Sequence, residues 1–245
     1  MTRSASYILG RLAGKQFRKA KWIWESVAGD ENAAIRAEQG VGRDMATVVR
    51  EQANSPIDRD AQALLDEITT ALVERVQNPV YRFEVTAIAG DHPTAFALPG
   101  GFIFVAPSLV TLANRDTDEL AFVIAHEMAH VMRRHAIDRL LGQKALSAVS
   151  LATPTARTIA PWLRTVGFRW LEKAYSREQE FEADELGGRL MHSAGFNLHG
   201  AIRILDRFRN MDHQHDPLGL GAYLSTHPPV DDRIQRLQIR LKIGD

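Results

Sequence analysis

The apolar positions of this chain change their repeat along its length, and each change predicts a different element. Ala61, Leu64, Leu65, Ile68, Leu72 and Val76 recur at three and four residues, the period of a helix with one buried face. Ser55-Pro56 would cap and start that helix, and Asn78-Pro79 would end it, because proline suits the first helical position and turns the residue before it away from helix. Upstream, residues 31–52 carry a mixed face of Ala34, Ile35, Glu38, Met45, Val48 and Val49, loosened by Gly40 and Gly42. After Pro79 the period falls to two. Tyr81, Phe83, Val85 and Ala87 alternate with Arg82, Glu84 and Thr86, as in a half-buried strand. Ala95-Phe96-Ala97-Leu98 and Phe102-Ile103-Phe104-Val105 flank Pro99-Gly100-Gly101, which reads as a tight turn between strands.

From Asp118 the chain returns to helical spacing. Leu120, Val123, Ile124 and Val131 share a face, and Asp116 and Glu119 stand at capping-box spacing. Ser176 and Gln179 repeat that spacing before a further helix, with Gly195 as its terminator. A last helix buries Val230, Ile234, Leu237 and Leu241, with Asp231 and Asp232 near its positive end. These elements predict an α+β fold, mainly helical, with a small, mostly antiparallel sheet. Residues 1–54 read as an N-terminal helical extension and residues 55–245 as the main domain.

Composition narrows the chemistry. The 245 residues hold 30 Lys and Arg against 30 Asp and Glu, so global charge gives no reason to expect a nucleic-acid partner. The absence of cysteine excludes disulfides, thiolate metal ligands and a thiol nucleophile. No apolar run reaches the roughly twenty residues of a membrane span, and the N-terminus lacks the order of a secretory signal. A cytoplasmic protein is the expectation. The first two dozen residues qualify it: Arg3, Arg11, Lys15, Arg18, Lys19 and Lys21 come without an acid. Leu9, Ala13, Phe17, Ala20, Trp24 and Val27 form a helical stripe among them. Such a segment packs on its own domain with its lysines in water, or lies peripherally on an anionic membrane surface.

The chemistry concentrates in His126-Glu127-Met128-Ala129-His130. Histidines four apart on a helix point the same way, so one zinc ion can take a ring nitrogen from each at roughly 2.0–2.1 Å. Glu127 then stands where a general base for a zinc-activated water belongs. Two carboxylate pairs on the Ser176 helix have the spacing to complete the site, Glu180 with Asp184 and Glu178 with Glu182. Spacing alone does not choose between them. His135, nine residues after His126, is half a turn out of phase and is no third ligand. His213 and His215 sit in a polar loop, and Arg133 and Arg134 read as solvated charges or as partners of the C-terminal end of the His126 helix. Residues 145–163 are fairly apolar but carry Pro154, Arg157 and Pro161, against a buried continuous span.

Taken together, the Pro99-Gly100-Gly101 turn and its following strand, the 126–130 pentapeptide, the Ser176-to-Gly187 segment and Thr226-His227-Pro228 resemble an M48-type (HtpX/Ste24/Oma1-like) zinc metallopeptidase, a gluzincin. The resemblance spans roughly residues 55 to 245. It implies a zincin-like fold and one Zn2+ per chain, held by His126, His130 and Glu180. It implies Asp184 as the partner of a ligand histidine, Glu127 as the base, and His227 as the donor to the developing oxyanion. Substrate backbone would run along Ala95, Phe96 and Ala97 beside Gly100 and Gly101. Two departures stand out. Thr94 occupies a place where the family often has Asn, and the segment after His130 lacks the membrane spans of many relatives. The expected activity is endopeptidase cleavage of unfolded or flexible polypeptides. The competing expectation is a latent or chaperone-like zinc protein with its cleft blocked by its own insertion.

Overall fold

A computed structural model describes residues 30–53, 58–88, 93–135, 175–212 and 229–243. Seven helices and three strands lie among them: α1 (Glu31–Ala53), α2 (Arg59–Val73), β1 (Glu84–Ala87), β2 (Ala95–Leu98), β3 (Phe102–Val105), α3 (Pro107–Leu112), α4 (Thr117–Met132), α5 (Arg177–Ser193), α6 (His199–Asp212) and α7 (Val230–Leu241). Helix dominates around a small sheet, so the α+β class holds. No helix among the described residues is long and apolar enough to cross a membrane. The basic N-terminal stripe, the 145–163 stretch, His213, His215 and His227 fall outside the described residues.

The sheet has the order β1-β3-β2. β2 pairs antiparallel to β3, with Phe96 opposite Phe104 and Leu98 opposite Phe102. β1 pairs with β3 in parallel, Val85 beside Ile103 and Ala87 beside Val105. The sheet is therefore mixed rather than mostly antiparallel. The cause is connectivity: the chain leaves β1, passes to the far edge as β2, and only then turns through Pro99–Gly101 into the central position. Ile88 N donates to Val105 O and Ala106 N to Thr94 O, which fastens both ends of that passage to the middle strand.

Both faces of the sheet are covered, which accounts for the unbroken apolar run of β3. Val85, Ala87, Ala95, Ala97, Ile103 and Val105 face the core formed with α2 and α4, where Leu65, Ile68, Leu72, Leu120, Ile124 and Met128 are buried. Leu98, Phe102 and Phe104 face the other way, against Val41, Met45, Val48 and Val49 of α1. Polar contacts tie α1 down as well. Arg50 pairs with Glu84 and lies over the Phe102 and Phe104 rings at 6.0 and 5.7 Å.

Gly40 and Gly42 do not interrupt α1, which runs unbroken across them. Gly42 marks a close approach: a Cβ there would stand 1.7 Å from the Pro99 carbonyl oxygen. Gly100 (φ +78°) and Gly101 (φ +98°) occupy the left-handed region that other residues avoid. Their faces are closed by the backbones of Gln39 and Arg82, so packing gives both glycines a purpose in the fold.

Two capping expectations change. α2 is capped by Asp58, whose carboxylate accepts from Asp60 N and Ala61 N; Ser55 lies outside the described residues. At α4, Asp116 accepts from Asp118 N and Glu119 N as expected. Glu119 does not return the favour, because Arg207 and Arg203 of α6 take its carboxylate at 2.7 and 3.2 Å. The box is complete only at α5, between Ser176 and Gln179, and Gly195 ends that helix at φ +94°.

Candidate metal centre

α4 and α5 pack face to face, and the reason lies in Gly187. A Cβ at this position would stand 2.8 Å from His126 N and 3.0 Å from Ala125 C. The bare glycine lets the two backbones touch, so a side chain two turns back on α5 reaches the histidines of α4. Gly187→Ala is expected to cost about 1–3 kcal/mol, as overpacking does, and to weaken metal binding by moving α5 outward. Urea unfolding of the metal-free variant with a parallel zinc titration checks both effects.

Across this contact Glu180, His126 and His130 converge. The two ring Nε2 atoms lie 3.0 Å apart. Glu180 Oε2 is 3.5 Å from His126 Nε2, and its Oε1 is 3.6 Å from His130 Nε2. None of the three is more than 3 % exposed. A divalent cation fits this donor set. Two ligand nitrogens on a tetrahedral ion at 2.0–2.1 Å would stand about 3.3 Å apart, and a buried carboxylate turned toward imidazole lone pairs calls for a positive charge between them. Glu178 and Glu182, the alternative pair, are exposed. Helix direction thus makes the choice that spacing left open. Glu127 is also buried, one position from His126 on α4.

Asp184, one turn beyond Glu180, places Oδ1 2.9 Å from His126 Nδ1. Its other neighbour was not foreseen. Arg233 of α7, 3 % exposed, forms a two-pronged bond to the same carboxylate, Nε to Oδ2 at 2.8 Å and Nη2 to Oδ1 at 2.6 Å. Burial would raise the Asp184 pKa, but the Arg233 guanidinium and His126 hold it below its ordinary value. Burial works against charge on His126 too, yet the Asp184 and Glu180 carboxylates outweigh it and lift its pKa to about 9. A metal bound at Nε2 therefore displaces a proton. The sequence did hold a signal for Arg233: it lies three residues after Val230 and four before Leu237, a charge on an apolar stripe.

The other expected residues divide plainly. Ala95, Phe96 and Ala97 form edge strand β2, which packs against α4. Gly100 and Gly101 lie in the turn at the far end of that strand. Arg134 is not simply solvated, since it pairs with buried Glu38 of α1 at 2.6 Å. His135 stands outside the converging donor set, but it is buried against His130, with its Nδ1 3.0 Å from His130 Nδ1. Tyr175 stacks on the His130 ring at 3.8 Å between centroids.

Comparison with known proteins identifies the family and several relatives of this chain. The model of the family described as peptidase family M48 matches residues 59–241. The mitochondrial metalloendopeptidase OMA1 of Schizosaccharomyces pombe is 31 % identical over 159 residues, covering 64 % of this chain and 46 % of the relative. Its counterpart in Saccharomyces cerevisiae is 32 % identical over 147 residues, covering 59 % and 42 %. The protease HtpX homolog of Pyrococcus abyssi is 29 % identical, covering 62 % and 65 %. The chain thus spans less than half the length of these OMA1 relatives. The match takes in the pentapeptide helix, the α5 carboxylates and Arg233 alike, and on that extent this chain belongs to peptidase family M48.

Proposed function

We propose that this protein is a zinc-dependent endopeptidase acting on unfolded or flexible polypeptides. The observation that carries the reading is the buried convergence of His126, His130 and Glu180 across the α4–α5 contact, with Glu127 on the same helix. Two imidazoles and one carboxylate form a set that catalytic zinc sites use, leaving a fourth position open. When bound, zinc supplies a Lewis acid that polarises a carbonyl and acidifies a water. Glu127 takes the proton of the attacking water and delivers it to the leaving amine. Asp184 fixes the His126 ring and is itself fixed by Arg233. Edge strand β2 offers its backbone to an extended peptide by antiparallel addition, with Ala95, Phe96 and Ala97 along the contact. His227 completes the proposal as oxyanion donor. Endopeptidase activity is also what the names of the OMA1 relatives state of those proteins.

The test pairs metal analysis with cleavage of unfolded casein by wild type and Glu127→Gln. The expected result is about one zinc per chain in both proteins. Turnover in the variant should fall by about 10²–10⁴-fold, the usual contribution of a general base. Cleavage by the variant at the wild-type rate would refute the role of Glu127, and absence of zinc from the wild type would refute the centre.

A further inference from the structure

The two histidines of the centre are held from behind in different ways. His126 is backed by a carboxylate, Asp184, which is in turn gripped by a guanidinium. Behind His130 stands another imidazole. His130 Nδ1 lies 3.0 Å from His135 Nδ1, and His135 Nε2 lies 3.4 Å from Glu182 Oε2. Glu182 is also bound by Arg133 Nε at 2.9 Å. His135 is 4 % exposed, and its ring meets that of His130 nearly edge-on, 67° between planes. A buried imidazole in this position has a stricter requirement than an apolar side chain, since both of its nitrogens need partners.

We infer that His135 is a positioning residue for His130, accepting the His130 Nδ1–H through its own Nδ1 while its Nε2–H is directed at Glu182. The inference rests on the proposal that His130 ligates zinc through Nε2. Proton placement follows from that one condition. A neutral imidazole carries a single N–H. If His130 gives its Nε2 lone pair to the metal, its proton is on Nδ1 and must be donated. His135 Nδ1 lies within reach at 3.0 Å, so it accepts, and its own proton moves to Nε2 on the Glu182 side. With the protons so placed, no two N–H groups face each other. Tyr175, stacked flat on His130 at 17°, closes one side of the ring, and the bond to His135 acts on its rotation.

α4 ends at Met132. Arg134 then takes φ +62°, which is uncommon outside glycine, and the chain turns so that His135 comes to lie against His130. Helical phase counted from His126 does not apply beyond that turn.

The test uses the full chain and zinc itself, with affinity measured by competition against a chelator and the metal-free proteins compared by thermal unfolding. His135→Leu removes the acceptor, and its zinc affinity is expected to fall about 10–100-fold, as when other such partners are lost. His135→Asn is the discriminating variant, because its Oδ1 occupies nearly the place of the histidine Nδ1 and can accept the same proton. It is expected to recover most of the lost affinity. A purely space-filling role would not be restored by the smaller, polar Asn. Wild-type affinity in His135→Leu would overturn the inference. So would His135→Asn binding as weakly as His135→Leu while its metal-free form melts like wild type. If the wild type binds no zinc, the ligand reading itself fails, an outcome separate from either of these.

Discussion

Arg233→Met is expected to destabilise the protein by about 3–5 kcal/mol, the cost of leaving one partner of a buried ion pair alone. Asp184 is 2 % exposed. Without the guanidinium its carboxylate would face burial supported by His126 alone, and its pKa would rise. The loss should appear as a lower urea midpoint of the metal-free protein with an unchanged slope, since the unfolding transition exposes the same surface. Metal affinity is expected to fall as well, by about 10–100-fold, because the Asp184 carboxylate no longer holds the His126 ring in place. The double variant Arg233→Met with Asp184→Asn separates the two effects. It removes the stranded charge and should recover stability, but restore the His126 partner only in part. A single variant that unfolds at the wild-type urea concentration would show that the pair is not structural.

The second large effect concerns α1, which precedes the family-matched residues 59–241. A chain beginning at residue 58 is expected to lose cooperative folding. Removing α1 uncovers Leu98, Phe102 and Phe104, and each large apolar side chain contributes about 1.5–3 kcal/mol when buried. Together with the companion residues of α1 itself, this approaches the whole net stability of an ordinary domain, about 5–15 kcal/mol. It also removes Glu38, which pairs with Arg134 at 2.6 Å. Calorimetry and dye binding to exposed apolar surface would decide it. A shortened chain with a sharp transition near that of the full chain would show that the sheet does not need its outer cover.

What the sequence disclosed and what it withheld divide by distance along the chain. His126, Glu127 and His130 lie within one turn and a half, and their common direction is a local property of any helix. The full capping box at Ser176 and the turn at Gly195 were equally local. Choosing Glu180 over Glu182 required knowing which face of α5 meets α4, and only resemblance supplied that in advance. Glu119 had the right spacing for a capping box, but Arg203 and Arg207, more than eighty residues later, took its carboxylate. β1 shows the same limit. Its alternation gave a strand and the buried face, while its parallel pairing depends on where the later strands run. Helical phase separates His135 from the donor cluster, but its contact with His130 arises beyond the end of α4, where that phase no longer applies.

Tyr175 and His135 have one more consequence, for tolerance to change in length. The chain departs from the centre at His135 and returns to it at Tyr175, and these two rings stand 6.0 Å apart beside the same imidazole. Residues 135 and 175 thus both lie against the His130 ring. Lengthening a closed segment costs only about 0.6 kcal/mol per doubling in closure entropy, and the rings at its base need not move. Insertions at this point can therefore grow, shrink or be exchanged in evolution while the position of His130 is inherited unchanged.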